Sequence, residues 1–289
     1  MTRKSKFALA SEKLGSLSFG ERLLLAFSDH PDDVDKTSRY AAPTRQWSVE
    51  TALAQLEEAF PGFAEKAKGK RVLDYGCGDG FQSVALAKAG AQQVLGVEIE
   101  ANRRAHGEAL ASKEGVRNVA FAERVSGKFD IVISLNAMEH FISPEENLRE
   151  MRQALAPGGR IYVSFGPLWM APYGHHMHFF TRAPWINLLF SEKTVFHIRR
   201  LYRDDGAASW SPGMNRMTVA MFERLIAGCG LRAVHRRDRT AANLPLVGKV
   251  PLVREFFVNL IDAELAPTDE GTAETAPTNC YKTSKNRNN

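Results

Sequence analysis

Apolar residues fall into two rhythms along the chain, one of three and four residues and one of short unbroken runs. From Ser48 to Phe60 the positions Ala52, Leu53, Leu56, Ala59 and Phe60 recur at helical spacing, which predicts an amphipathic helix opened at Ser48 and stopped by Pro61-Gly62. Arg71 to Asp74 is then a short apolar run ending in glycines, the pattern of a buried strand. A helix is predicted over 81–89 closed by Gly90, a strand over 93–98, a helix over 101–113 and a short strand over 119–122. Phe129 to Ser134 is the near-continuous apolar strand that a sheet covered on both faces requires. Pro144 opens a helix to Ala154, Pro157-Gly158-Gly159 stops it, and a strand follows over 160–164.

That alternation predicts an α/β fold: doubly wound, with a mostly parallel sheet of the seven-stranded type. Residues 166–213 break it with aromatics, histidines and prolines, and form an insertion with some helix after the fifth strand. A helix returns over 218–227, a strand over 231–238, a short helix near Leu252 and a last strand over 258–265. Residues 1–47 are expected to be a partly helical N-terminal extension, with helix around 17–28. Residues 48–265 form the main domain, and 266–289 are expected to be a flexible tail.

Composition changes this picture little. Hydrophobic residues at 44% and charged residues at 25% are ordinary for a globular chain. A net charge of +5 from 38 basic and 33 acidic residues describes a mostly solvated surface rather than a nucleic-acid binder. Two arginine groups (Arg199, Arg200 and Arg203; Arg232, Arg236, Arg237 and Arg239) keep an RNA substrate as an alternative. Cys77, Cys229 and Cys280 form no CxxC pair, so neither a zinc site nor a disulfide framework is expected. No apolar run has the length of a signal core or of a membrane span, and the chain is expected to be cytoplasmic and soluble.

The chemistry concentrates between Val72 and Phe81, where a strand turns through Gly76, Gly78 and Gly80 into a helix. Such a turn lets a ligand approach the backbone. The dinucleotide spacing G-x-G-x-x-G fails, because Phe81 or Ser83 stands where the third glycine belongs, and a Gly-Lys-Ser/Thr phosphate loop is absent. Asp74 and Asp79 would repel a pyrophosphate but suit a cationic ligand. Glu98, at the end of the second strand, is placed to accept both hydroxyls of a ribose.

From Val72 to Gly80, then Gly96-Val97-Glu98, Phe129 to His140 and Leu155 to Val163, the chain resembles the class I S-adenosylmethionine-dependent methyltransferases, with the four motifs in family order over about residues 50–165. The resemblance implies S-adenosylmethionine as cofactor and methyl transfer to an O or N atom of a small organic acceptor as activity. It implies that Asp74 holds the methionine ammonium and that Gly76, Gly78 and Gly80 let the backbone pass under the ligand. Glu98 would bind the ribose and Ile99 would flank the adenine. Leu135 and Asn136 would lie beside the methionine moiety. The acidic residue that often follows the third strand to reach the adenine amino group has only Glu123 as counterpart. Glu139-His140 admits a structural, acid–base or metal reading, and no metal is expected. His175, His176 and His178 in the insertion are candidate general bases, since imidazole titrates near neutrality. A non-catalytic member of the fold, an RNA or protein methyltransferase, and a nicotinamide-dependent oxidoreductase are the competing readings.

Overall fold

The computed structural model describes residues 3–34, 47–203, 205–241 and 250–268. The expected tail therefore lies, from residue 269, outside the described residues, as does 35–46 of the N-terminal extension. In chain order the elements are α1 (Lys6–Leu14), α2 (Phe19–Ala26), α3 (Val49–Ala59), α4 (Phe63–Ala67), β1 (Arg71–Tyr75), α5 (Phe81–Lys88), β2 (Gln93–Val97) and α6 (Ala101–Lys113). There follow β3 (Val119–Ala122), β4 (Phe129–Leu135), a 3₁₀ turn (Met138–His140), α7 (Pro144–Gln153) and β5 (Leu155–Phe165). The chain continues through α8 (Ile186–Leu189), α9 (Glu192–Arg199), α10 (Val219–Gly228), β6 (Leu231–Thr240), α11 (Val253–Phe257) and β7 (Val258–Pro267).

The sheet order is β3-β2-β1-β4-β5-β7-β6. β1 to β5 run parallel, and β7 enters antiparallel between β5 and β6. β1 and β4 lie side by side although two helices and two strands separate them in sequence, so the winding direction reverses between them. That reversal opens a crevice outside the carboxyl ends of β1 and β4, the place where open α/β sheets receive ligands. Burial drives the arrangement: Val72, Leu73, Val132 and Ile133 are fully buried in adjacent strands. α3 and α4 close one face through Phe60 and Phe63, whose rings meet Tyr162 of β5 edge-on at 5.2 and 5.0 Å. Ser48 caps α3 as the sequence predicts, accepting from the Thr51 amide while Thr51 Oγ1 accepts from the Ser48 amide.

Several boundaries differ from the sequence reading, among them β6, which runs to Thr240, and two follow from strand pairing. Pro157-Gly158-Gly159 lies inside β5 rather than between a helix and a strand. Leu155 already pairs with Phe129, and the register then slips so that Ile131 faces Arg160. The glycines thus form a bulge that interrupts a strand without ending it. β7 runs on to Pro267 rather than ending at Leu265, because its last residues pair with Leu231 and Arg232 of β6.

The N-terminal helices and the insertion, separate in sequence, share one core. Ala10, Leu17, Leu24 and Leu25 pack with Phe179, Phe180, Ile186, Val195 and Tyr202. The Asp29 amide donates to Phe180 O at 2.7 Å, Tyr202 Oη donates to Asp29 O at 2.7 Å, and Glu21 meets His197 at 2.5 Å. The result is a cap anchored at the carboxyl end of β5, on the crevice side of the sheet.

Candidate functional site

The glycine loop starts where β1 ends. Gly76 and Cys77 both donate their amides to Val97 O, at 2.8 and 3.0 Å, which folds the loop back over the end of β2. Gly76 has φ of +77°, and a Cβ there would stand 3.0 Å from Ala137 Cβ and 3.4 Å from the Phe141 ring. The loop is therefore in close contact with the segment that follows β4. Gly80 also has a positive φ, +83°, but its missing side chain is replaced by protein. A Cβ at Gly80 would sit 2.7 Å from Phe121 and 2.9 Å from Gly107 Cα, so this glycine serves the close packing of α5, α6 and β3.

Carboxylates line the loop from below and from the side. Asp74 is buried at the end of β1 and accepts a hydrogen bond from Ser83 Oγ at 2.7 Å. Burial pushes its pKa up to about 7; the Ser83 hydrogen bonds oppose that shift and the Glu98 charge adds to it. Glu98 uses both oxygens on backbone, accepting from the Gly78 amide at 3.1 Å and from the Glu100 amide at 2.9 Å. It thereby fixes the loop against the start of α6. Ile99 beside it is 77% exposed, an apolar side chain with no protein covering it. Across the crevice Leu135 is buried, and Asn136 turns the chain with φ of +52°, a conformation that Asn tolerates better than most residues. The structure thus brings Asp74, Gly76, Gly78, Glu98, Ile99, Leu135 and Asn136 to the carboxyl ends of β1, β2 and β4. Glu123 is exposed and 3.9 Å from Arg104, which itself donates to the carbonyls of Glu98 and Ile99.

The side-chain positions of Gly76, Gly78 and Gly80 all face protein, namely Ala137 and Phe141, Arg103, and Phe121. A half-neutral buried carboxyl at the strand end, next to a second carboxylate, is relieved of its charge repulsion by an ammonium group. These residues fit the aminoacyl and ribose ends of S-adenosylmethionine.

The insertion histidines are distributed differently from the sequence expectation. His175 is fully buried in the cap: its Nδ1 accepts from the Met177 amide at 2.9 Å, its Nε2 faces Ala183 O at 3.2 Å, and Trp210 Nε1 donates to its carbonyl. Burial pulls its pKa down to about 3, so it is a neutral structural group with both ring nitrogens engaged. His176 is pulled down to about 4, first by burial and then by the His140 charge, and its Nε2 lies 3.4 Å from Pro167 O. His178 is exposed and packs on Tyr173 with ring centroids 4.7 Å apart.

Glu139 is buried with Oε1 accepting from the Gly166 amide and with its pKa raised by burial, against the influence of His140. Among the described residues no group of three or more His, Cys, Asp or Glu side chains gathers as a metal ion would require. The basic runs are largely neutralised within the fold: Arg199 pairs with Asp205, Arg236 with Glu223 and Asp238, and Arg237 and Arg239 both with buried Asp262. Among the described residues no helix is long and apolar enough to cross a membrane. An open cleft of about 1210 Å³ between α2 and α9, lined among others by Glu21, Glu192, Lys193, His197 and Arg200, lies on the cap and includes none of the glycine-loop residues.

Sequence reasoning missed Ser83, the partner of Asp74, because a serine inside a helix carries no motif. It also missed Asn215, which clamps the 3₁₀ turn: its Nδ2 donates to Met138 O and Phe141 O at 2.6 and 3.0 Å, and its Oδ1 accepts from the Met217 amide.

A family model described as a methyltransferase domain matches residues 46–190. The ubiquinone biosynthesis O-methyltransferase of Idiomarina loihiensis is 32% identical over 149 residues, covering 46% of this chain and 60% of that protein. The protein of the same name from Bordetella avium is 32% identical over 146 residues, covering 46% and 59%. The chain thus spans about three fifths of the length of these curated relatives. Among solved structures, an S-adenosylmethionine-dependent methyltransferase from Mesorhizobium loti is 19% identical with a TM-score of 0.48, covering 73% of this chain and 95% of that one.

Proposed function

The chain belongs to the class I S-adenosylmethionine-dependent methyltransferases, and on that premise we propose that it transfers a methyl group from S-adenosylmethionine to an O or N atom of a small organic acceptor. The observation that carries the reading is the pairing of the buried Asp74 carboxyl with a Glu98 whose two oxygens hold the Gly78 and Glu100 amides. Asp74 would hold the methionine ammonium, Glu98 the ribose hydroxyls and Ile99 one face of the adenine. When bound, the cofactor supplies a methyl group on a sulfonium, a leaving group that needs no further activation. The protein then has to align the acceptor in line with the methyl group and exclude water. The cap over the β5 end, with His176, Trp169 and Pro167 on the segment leaving that strand, forms the acceptor side.

A small acceptor is favoured over RNA by the arginines that the fold itself neutralises. The O-methyltransferase names of the relatives favour oxygen as the atom methylated. The test is incubation of the protein with methyl-tritiated S-adenosylmethionine and fractionated cell extract. Label in the small-metabolite fraction supports the proposal, whereas label confined to RNA or protein refutes the small-acceptor reading.

A further inference from the structure

The 3₁₀ turn after β4 is held rigidly and ends on an exposed imidazole. His140 Nδ1 lies 2.7 Å from Gly213 O. A carbonyl can only accept, so Nδ1 carries the proton and the Nε2 lone pair is left for another partner. The ring meets His176 edge to face, with centroids 5.5 Å apart and planes at 90°, which fixes its orientation. Asn215 clamps the turn on both sides through Met138 O and Phe141 O, and its amide donates to Glu139 O at 3.0 Å. Phe141 and Ala137, which bracket the turn, are the groups in contact with Gly76. A preoriented imidazole with a free Nε2 thus stands on the segment packed against the glycine loop.

Building on the methyltransferase reading, we propose that His140, rather than any of the insertion histidines, is the general base that takes the proton from the acceptor, and that His176 and Asn215 are positioning residues for it. In the reaction an acceptor hydroxyl gives its proton to His140 Nε2 as its oxygen forms the bond to the methyl carbon. The S–CH₃ bond breaks with its electron pair going to sulfur, which leaves neutral S-adenosylhomocysteine. The imidazolium then returns its proton to water, which the exposed position permits.

The titratable groups bearing on His140 are Glu139, buried and pushed toward its neutral form, and His176, neutral at physiological pH. His175 lacks a free ring nitrogen, and His178 packs on Tyr173.

The test is a nitrogen-15 spectrum of histidine-labelled protein loaded with S-adenosylhomocysteine, with H140Q and H140N used to assign the resonance. The proposal predicts that the Nδ1–H tautomer of His140 is present, with Nε2 carrying no proton. A proton on Nε2 would overturn it whatever the activity. Label transfer into the small-metabolite fraction should fall about 100-fold or more in H140Q, with S-adenosylhomocysteine affinity within about twofold of wild type. N215A should lower the rate less and shift its pH profile. A wild-type rate in both His140 variants would sink the base assignment. Failure of the wild type to bind S-adenosylhomocysteine would instead sink the methyltransferase reading on which the proposal rests.

Discussion

Ser83 Oγ donates to the Asp74 carboxyl at 2.7 Å, so the first turn of α5 is tied to the end of β1 directly beneath the glycine loop. Burial holds that carboxyl at about 7, well above its ordinary range. Between about pH 4 and pH 7 the folded protein retains a proton that the unfolded chain has lost. Stability from this group is therefore complete below pH 4 and declines as pH rises toward 7. Affinity for a ligand ammonium has the opposite sign, because it needs the carboxylate.

Calorimetric affinity for S-adenosylhomocysteine should accordingly rise with pH through about 7 in the wild type and stay nearly flat in D74N. At pH 8 the variant should bind about tenfold or more weakly, and near pH 5.5 the two should converge. Parallel pH profiles for the two proteins would remove Asp74 from the ligand site.

Glu98 holds the Gly78 and Glu100 amides, and its proposed role at the ribose predicts that E98A loses binding through the nucleoside half of the ligand. A loss of about 10- to 100-fold is expected for both S-adenosylhomocysteine and adenosine, since charge-assisted hydrogen bonds contribute about 1.5–3 kcal/mol. D74A should weaken only the former. Equal effects of both variants on adenosine would mean that the two carboxylates do not divide the ligand as proposed.

The glycine loop, the carboxylates and the strand–helix alternation were legible in the sequence because each rests on local pattern: residue type, spacing and period. The cap was not. Its core joins Leu24 and Leu25 to Phe179 and Phe180 across more than a hundred residues, and no local rhythm announces such a contact. For the same reason His175 resembled a candidate base in sequence, although its partners Met177, Ala183 and Trp210 make it a buried structural group. Pro157-Gly158-Gly159 resembled a terminator because turn residues inside a strand can be told from a loop only once the partner strand, here β4, is known. His140 was visible as a residue, but its tautomer depends on Gly213, far along the chain.

H175A should therefore act as a folding lesion. Removing the ring leaves the Met177 amide and the Ala183 carbonyl unpaired in the cap interior, at a cost of about 3 kcal/mol or more. The melting temperature should drop by about 6–12 °C on that scale, with S-adenosylhomocysteine affinity in the folded protein unchanged. Retained stability together with lost methyl transfer would reinstate His175 as a catalytic group.

Gly80 offers a packing test separate from ligand binding. G80A forces a positive φ on alanine and drives its Cβ into Phe121, so destabilisation of about 2–5 kcal/mol is expected by chemical denaturation. F121L in the same chain should recover part of that loss by making room. If G80A instead retained wild-type stability and only weakened S-adenosylhomocysteine binding, Gly80 would be a ligand contact rather than a packing position.

The most direct test of the account is calorimetric titration of the wild-type protein with S-adenosylhomocysteine at pH 8, beside NADH. The carboxylate-lined loop predicts saturable binding of the first at about micromolar concentration and none of the second. Absence of S-adenosylhomocysteine binding, or preferential binding of NADH, would contradict the assignment of Asp74 and Glu98 as the two ends of a cofactor site.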